Sequence, residues 1–307
     1  MGDVLDLPRM KKSLFAGFIL ASIAVGAEHS AWRYHLPDTG IAPSYGSYTF
    51  VSMMGERHGG SRLGMQTYEL TIPLSDPRQT GYGDWAINAQ LDVRLSLLDT
   101  EGYLWLEHDE MYSASLPVTW IHQYASGNRL TMTVAPAVAS DFGGTSRFFD
   151  VLGGASYTIK QSETLSYSIG VGASPRFAYY VIVPMVGFDW QANADWNVSL
   201  RFNRLSAMYR VNERLFVGPF VSGYNHTWMV STDAGDKIFR FRSLVAGFSG
   251  EYDFSRAGQR KRIITASLGS TLVSTAQFCK RNASKEPETT LHYKPGLFVS
   301  LGVDFRF

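Results

Sequence analysis

Seven histidines are the first residues to test for chemistry: His29, His35, His58, His108, His122, His226 and His292. They are scattered, and none forms a His-Glu-x-x-His pair or a Cys/His metal spacing. A nucleophilic hydrolase sets its His beside a Ser and orients the ring with a third group. Asn225-His226-Thr227 comes nearest and lacks the Ser two residues on, so His226 reads as a structural residue beside Trp228. Asp99, Glu101, Glu107, Asp109 and Glu110 crowd one segment, where carboxylates could take a divalent ion. Their spacing matches no ion loop, and a solvated acidic loop is expected. Cys279 adjoins Lys280 and Arg281, which could lower its pKa. A chance unpaired thiol is the better reading. Nothing here predicts an enzyme, a cofactor or a metal.

Composition narrows the classes. The 307 residues carry 28 Lys+Arg against 27 Asp+Glu, and this near-zero balance argues against a nucleic-acid partner. One Cys excludes an intramolecular disulfide framework. Mean hydropathy of −0.08 excludes a polytopic helical membrane protein. Charged residues make up only 18%, while aromatics reach 14% and glycines number 29. That mixture suits strands.

The first residues read as an address. Met10-Lys11-Lys12 is a positive start, Leu14 to Val25 is apolar, and Val25-Gly26-Ala27 supplies small residues for cleavage. Residues 1–27 are therefore expected to be a signal peptide. Asp3 and Asp6 precede the positive start, which suggests Met10 as the true initiator. The apolar run is shorter than the roughly 20 residues a spanning helix needs. Residues 28–307 then form the exported domain, with 28–45 ahead of the first strand.

That domain alternates with a two-residue period. Ile87, Ala89, Leu91, Val93, Leu95 and Leu97 make one face of a strand, against Asn88, Gln90, Asp92, Arg94 and Ser96. Leu297, Val299, Leu301, Val303, Phe305 and Phe307 repeat the pattern at the C-terminus. The strands run about 10–15 residues, enough for a tilted crossing of a bilayer, which takes about 9–11. Aromatics gather near strand ends: Tyr48, Trp85, Tyr112, Trp120, Tyr179, Trp190, Trp196, Trp228 and Tyr293. A direct count of strands is odd, whereas single-chain barrels have even numbers. Reading Leu205–Val211 as a further strand gives about 14; merging two segments there would give 12. The expected fold is all-β, a transmembrane antiparallel up-and-down β-barrel. Pro117, Pro136, Pro184 and Pro219 fall inside proposed strands and mark bulges or breaks. A loop is expected at about 277–290.

Charges on the polar faces would enter such a barrel. Asp92, Arg94, Arg201, Arg240, Arg242, Asp304 and Arg306 are expected to point inward, with Asp189, Glu251 and Asp253. One reading is a constriction that selects solutes by sign. The other, preferred because the signs nearly cancel, is a salt-bridged filling of a narrow lumen.

The last strand carries Ser300-x-Gly302-x-x-Phe305-x-Phe307. It resembles the terminal-strand signature of bacterial outer-membrane proteins. Asn203–Leu215 (NRLSAMYRVNERL) likewise resembles uncharacterised outer-membrane β-barrel domains. The resemblance implies residence in the cell outer membrane, with its lipid and lipopolysaccharide as partners. It also implies that Ser300, Gly302, Phe305 and Phe307 are read by the outer-membrane assembly machinery. The expected function is non-catalytic: a passive pore for small solutes or a structural envelope component. The rivals are a barrel enzyme acting on envelope lipids and a secreted soluble β-protein that binds carbohydrate.

Overall fold

The computed structural model describes residues 44–305, apart from 75–77, 80–84, 103–105, 144–147, 177–178, 202, 234, 256–261 and 281–286. The signal peptide expected at 1–27, Arg306 and Phe307 lie outside the described residues. Alternation becomes strand nearly everywhere. The first elements are β1 (Ser44–Gly55), β2 (Arg62–Pro73), β3 (Arg78–Gln79), β4 (Trp85–Glu101), β5 (Glu110–Ser115), β6 (Val118–Gln123), β7 (Arg129–Ser140) and β8 (Phe148–Lys160). There follow β9 (Leu165–Arg176), β10 (Tyr179–Gln191), β11 (Trp196–Arg201), β12 (Arg204–Arg210) and β13 (Leu215–Val230). The chain ends with β14 (Lys237–Asp253), β15 (Arg262–Lys280), β16 (Thr289–Tyr293) and β17 (Leu297–Phe305).

These elements build fourteen wall strands of one closed antiparallel barrel. Three wall strands are interrupted: β2 and β3 share the partner β4, β5 and β6 share β4 and β7, and β16 and β17 share β15. Pro117 explains one break, since proline cannot donate to the ladder. Its carbonyl still accepts from Gln90 N at 3.0 Å, and Leu116 N reaches the Pro136 carbonyl at 2.9 Å. Closure comes from β1 against β17, running from Ser44↔Phe305 to Val51↔Phe298. An even number lets the first and last strands meet antiparallel. The segment Leu205–Val211 is therefore a wall strand, observed as Arg204–Arg210 and paired to both β11 and β13.

Both ends of the described chain lie at one mouth, here the terminal mouth; the other is the distal mouth. The polar turns predicted at 126–128, 160–163 and 191–195 all close hairpins at the terminal mouth. Gly127 takes a φ of 84° in the first, a left-handed value that its missing Cβ permits. Outward positions form an apolar belt, with Ile182 at 76% and Phe248 at 71% exposure. Trp85 stacks on Trp120 at 4.1 Å and on His122 at 3.7 Å near the terminal mouth. This is the aromatic girdle that a membrane boundary favours. Two rings expected at a boundary are elsewhere: Trp228 and Tyr293 are buried in the interior cluster.

Two further expectations change. β15 runs on to Lys280, so Cys279 lies in a strand, buried in an apolar cluster, and not in a loop at 277–290. The strand also carries an irregularity: Leu244 faces Val273 while Val245 faces Thr271. Leu272 is the extra residue of a bulge, and it switches which parity of β15 faces inward. Gly170 is set by packing as well as by room in the lumen: a Cβ there would stand 2.4 Å from the Ala155 carbonyl oxygen.

Candidate functional site

The site is the lumen, and the element that shapes it is the hairpin of β13 and β14. β12 pairs with β13 only between Arg210↔Phe216 and Arg204↔Ser222. Asn203 closes that edge, its carbonyl accepting from Gly223 N at 2.8 Å and its Nδ2 donating to the Gly223 carbonyl at 3.0 Å. Beyond Gly223, β13 has no ladder partner on that side among the described residues until its tip, and continues to Val230 paired with β14. Its tip then meets β7: Met229 pairs with Ser140, and Asp141 N donates to the Met229 carbonyl at 3.0 Å. β7 is the fifth wall strand and β13 the eleventh, nearly half a circumference apart. The hairpin therefore crosses the distal mouth from one wall to the other.

Burial agrees. A wall strand keeps one face toward lipid or water. In the hairpin, His226, Trp228 and Phe239 are buried on one face, and Asn225, Thr227 and Arg240 on the other. Arg240, fully buried, donates from Nε to Thr227 Oγ1 at 3.1 Å. The first face joins an apolar cluster with Val51, Met54, Met65 and Leu98 of the far wall and Phe298 of the last strand. Trp228 stacks near-parallel on Phe239 at 5.8 Å. Burying Trp228, Met229, Phe239 and Phe241 contributes roughly 6–12 kcal/mol, at about 1.5–3 kcal/mol per side chain. Wholesale undocking of the hairpin is thus negligible at rest.

Two polar clasps fix its position. At the tip, Asp141 Oδ2 accepts from Ser231 N at 2.6 Å and Oδ1 from Gly143 N at 3.1 Å. Ser231 in turn accepts from Glu107 N at 3.2 Å. At the root, Arg94 donates from Nε to Glu69 Oε1 at 2.7 Å and meets His226 Nδ1 through Nη1 at 2.8 Å. A guanidinium only donates. His226 Nδ1 must accept, so the ring is neutral with its proton on Nε2. Ser47 Oγ donates to Glu69 Oε2 at 3.3 Å. A narrow residual cavity beside this group is lined by Thr49, Thr67, Glu69, Tyr224, His226 and Phe241.

Residues 54–306 match one family, described as a domain of unknown function, DUF6268. The chain belongs to that family. No curated protein matches it. Solved structures similar to the DUF6268 barrel include the COG4313 outer membrane channel from Pseudomonas putida F1. It shows 11% identity and a TM-score of 0.45, over 89% of this chain and 97% of that one. The P. putida toluene transporter TodX shows 13% identity over 92% and 93%, with a TM-score of 0.39. Pseudomonas aeruginosa OpdQ shows 11% over 85% and 97%, with a TM-score of 0.29. At these scores nothing about solutes passes to the DUF6268 barrel. Its own apolar belt, girdle and even closure make it an outer-membrane β-barrel of porin-like architecture.

The expected lumen charges fall in different places. Asp92 is buried and accepts from Thr71 Oγ1 at 2.6 Å. Arg94 forms the root clasp. Arg201 pairs with Asp189 at 2.5 Å, and both remain solvated. Asp304 faces inward opposite Tyr45, on the parity of Ser300 and Gly302. Arg240 and Arg242 alternate with the lumen-facing Phe241 and Ser243, and so stand on the other face of β14. Of the terminal signature, Ser300 shares a hydrogen bond with Thr49 at 3.1 Å, and Phe305 lies outward, edge-on to Phe254. Sequence reasoning missed Glu69, Asp141 and Ser231. Strand length gave no separate signal, because β13 and β14 have 16 and 17 residues and the wall strand β4 also has 17.

Proposed function

We propose that this DUF6268 protein is a non-catalytic outer-membrane channel for small solutes, shut at rest by the β13–β14 hairpin. The observation that carries it is the hairpin tip seated on β7, across the distal mouth. With both ends of the described chain at the terminal mouth, as in periplasm-facing termini, the hairpin sits on the outer side. Polar side chains line the interior, and hydroxyl pairs such as Thr67–Ser96 and Ser199–Ser206 bridge neighbouring strands there. Such a lining suits water and small polar solutes once the obstruction is displaced. The mature domain is residues 28–307, and the last strand through Phe307 serves as its assembly signal.

Planar-bilayer conductance tests the reading. The refolded full chain is expected to give a silent trace. Replacing residues 226–241 by Asn-Gly joins Asn225 to Arg242, which already face each other across the hairpin. That variant is expected to conduct steadily. A folded but silent variant would favour the second reading, a permanently closed envelope barrel, for which the continuous apolar cluster speaks. Steady conductance by the unaltered protein would overturn the resting closure.

A further inference from the structure

We propose that His226 is an acid-sensitive latch that ties the closing hairpin to the barrel wall. This rests on the channel reading for its physiological meaning, but the latch itself stands on geometry. The Nη1···Nδ1 contact of 2.8 Å links β13 to β4, strands on different sides of the lumen. It exists only while His226 accepts, because Arg94 has no lone pair to offer. A proton on Nδ1 sets donor against donor and cation beside cation.

The charged side chains of the described residues around the ring are already engaged with one another. From β2, Glu69 faces the ring, already held by Arg94 at 2.7 Å and by Ser47 at 3.3 Å. From β4 comes Arg94 itself, with Asp92 one lumen position away and engaged by Thr71 at 2.6 Å. On β13, Tyr224 lies beside His226 in the same cavity. The β1 and β14 side chains lining it, Thr49, Val51, Phe241 and Ser243, carry no charge. Glu69, already paired with Arg94, would then face a second cation. His226 also stacks on Trp228 at 5.4 Å, so displacing the imidazole pulls on the apolar anchor of the hairpin.

Acidification should therefore loosen the hairpin locally, from His226 toward Ser231, before it affects the wall. The test is amide hydrogen exchange of residues 226–232 in the full chain folded in lipid. Wild type is compared with His226→Gln at each pH, so that the intrinsic chemistry of exchange cancels. Gln keeps an amide acceptor for Arg94 and cannot take the proton. Wild type is expected to exchange about ten- to a hundred-fold faster than H226Q in acid, the effect of losing one hydrogen bond to a charged group. The two should match at neutral pH. His226→Lys should exchange fast at both. If wild type and H226Q respond to acid alike, the latch is refuted. Should H226K fail to fold, the wild-type and H226Q comparison still decides. Bilayer current separates the two readings: faster exchange in acid with no current would keep the latch and sink the channel.

Discussion

Removing the carboxylate of Asp141 should release the hairpin tip while leaving the barrel standing. Asp141 is buried and accepts from Ser231 N at 2.6 Å and from Gly143 N at 3.1 Å, with Ser231 Oγ at 3.5 Å. In Asp141→Ala the Ser231 amide loses its acceptor inside the structure. A buried donor left unsatisfied costs about 1–3 kcal/mol, and the bond lost is to a charged group, the stronger class. Taking about 2–3 kcal/mol for the tip, the undocked population should rise roughly 30- to 150-fold, since about 1.4 kcal/mol is a factor of ten. The wall should be spared, because its ladders run through other residues and its closure is β1 on β17. Amide exchange at 229–232 is the assay, with thermal unfolding of the barrel as the control. Accelerated exchange with an unchanged unfolding temperature is the expected result. Unchanged exchange in a folded barrel would refute the clasp. A collapse of the whole barrel would show that the tip is part of the wall's stability and not a separable element.

Other outcomes follow from the same geometry. Arg94→Met should destabilise by about 3–5 kcal/mol in denaturant titration, because Glu69 is left charged and buried; Arg94→Met with Glu69→Leu should recover most of it. In a C279A background, Ser140→Cys with Met229→Cys should cross-link without denaturation, since the two residues are paired neighbours on opposite walls; cross-linking only after unfolding would contradict the seated tip. Phe248→Arg, in the middle of the exposed belt, should cost about 2–4 kcal/mol in folding from lipid, and a neutral effect would place that face in water. Deleting Phe307 should lower the amount of barrel reaching the membrane, measured by fractionation, and normal levels would remove the assembly role.

Much of the barrel was legible along the chain because alternation is a local property. Ile87 and Asn88 declare their faces by type, whatever the distant partner is, and strand ends are announced by turns such as Ser126-Gly127-Asn128. Even the missing strand at Arg204–Arg210 could be placed, since antiparallel closure needs an even count. The same reasoning failed where parity is broken. Leu272 inserts one residue into β15, and everything beyond it, Cys279 included, faces contrary to a simple count. Arg240 and Arg242 read as lumen charges because polar residues mark the wet face of a wall strand. In the hairpin neither face is a lipid face, so the rule has nothing to act on.

The amino-acid order alone determined a β-barrel with a lipid-facing belt and an even strand number, 14 or 12; the ladder pairings of the structure decided for fourteen. The belt follows from side-chain type at a two-residue period, and the even number from antiparallel closure. What lies across the lumen was decided only in three dimensions. The contacts that seat the hairpin there, Met229 on Ser140, Ser231 on Asp141 and His226 on Arg94, join residues about 90 to 130 positions apart. No local pattern encodes such pairs. They arise when surplus strand length, free of β12 beyond Gly223, finds an apolar surface on the opposite wall and buries itself there.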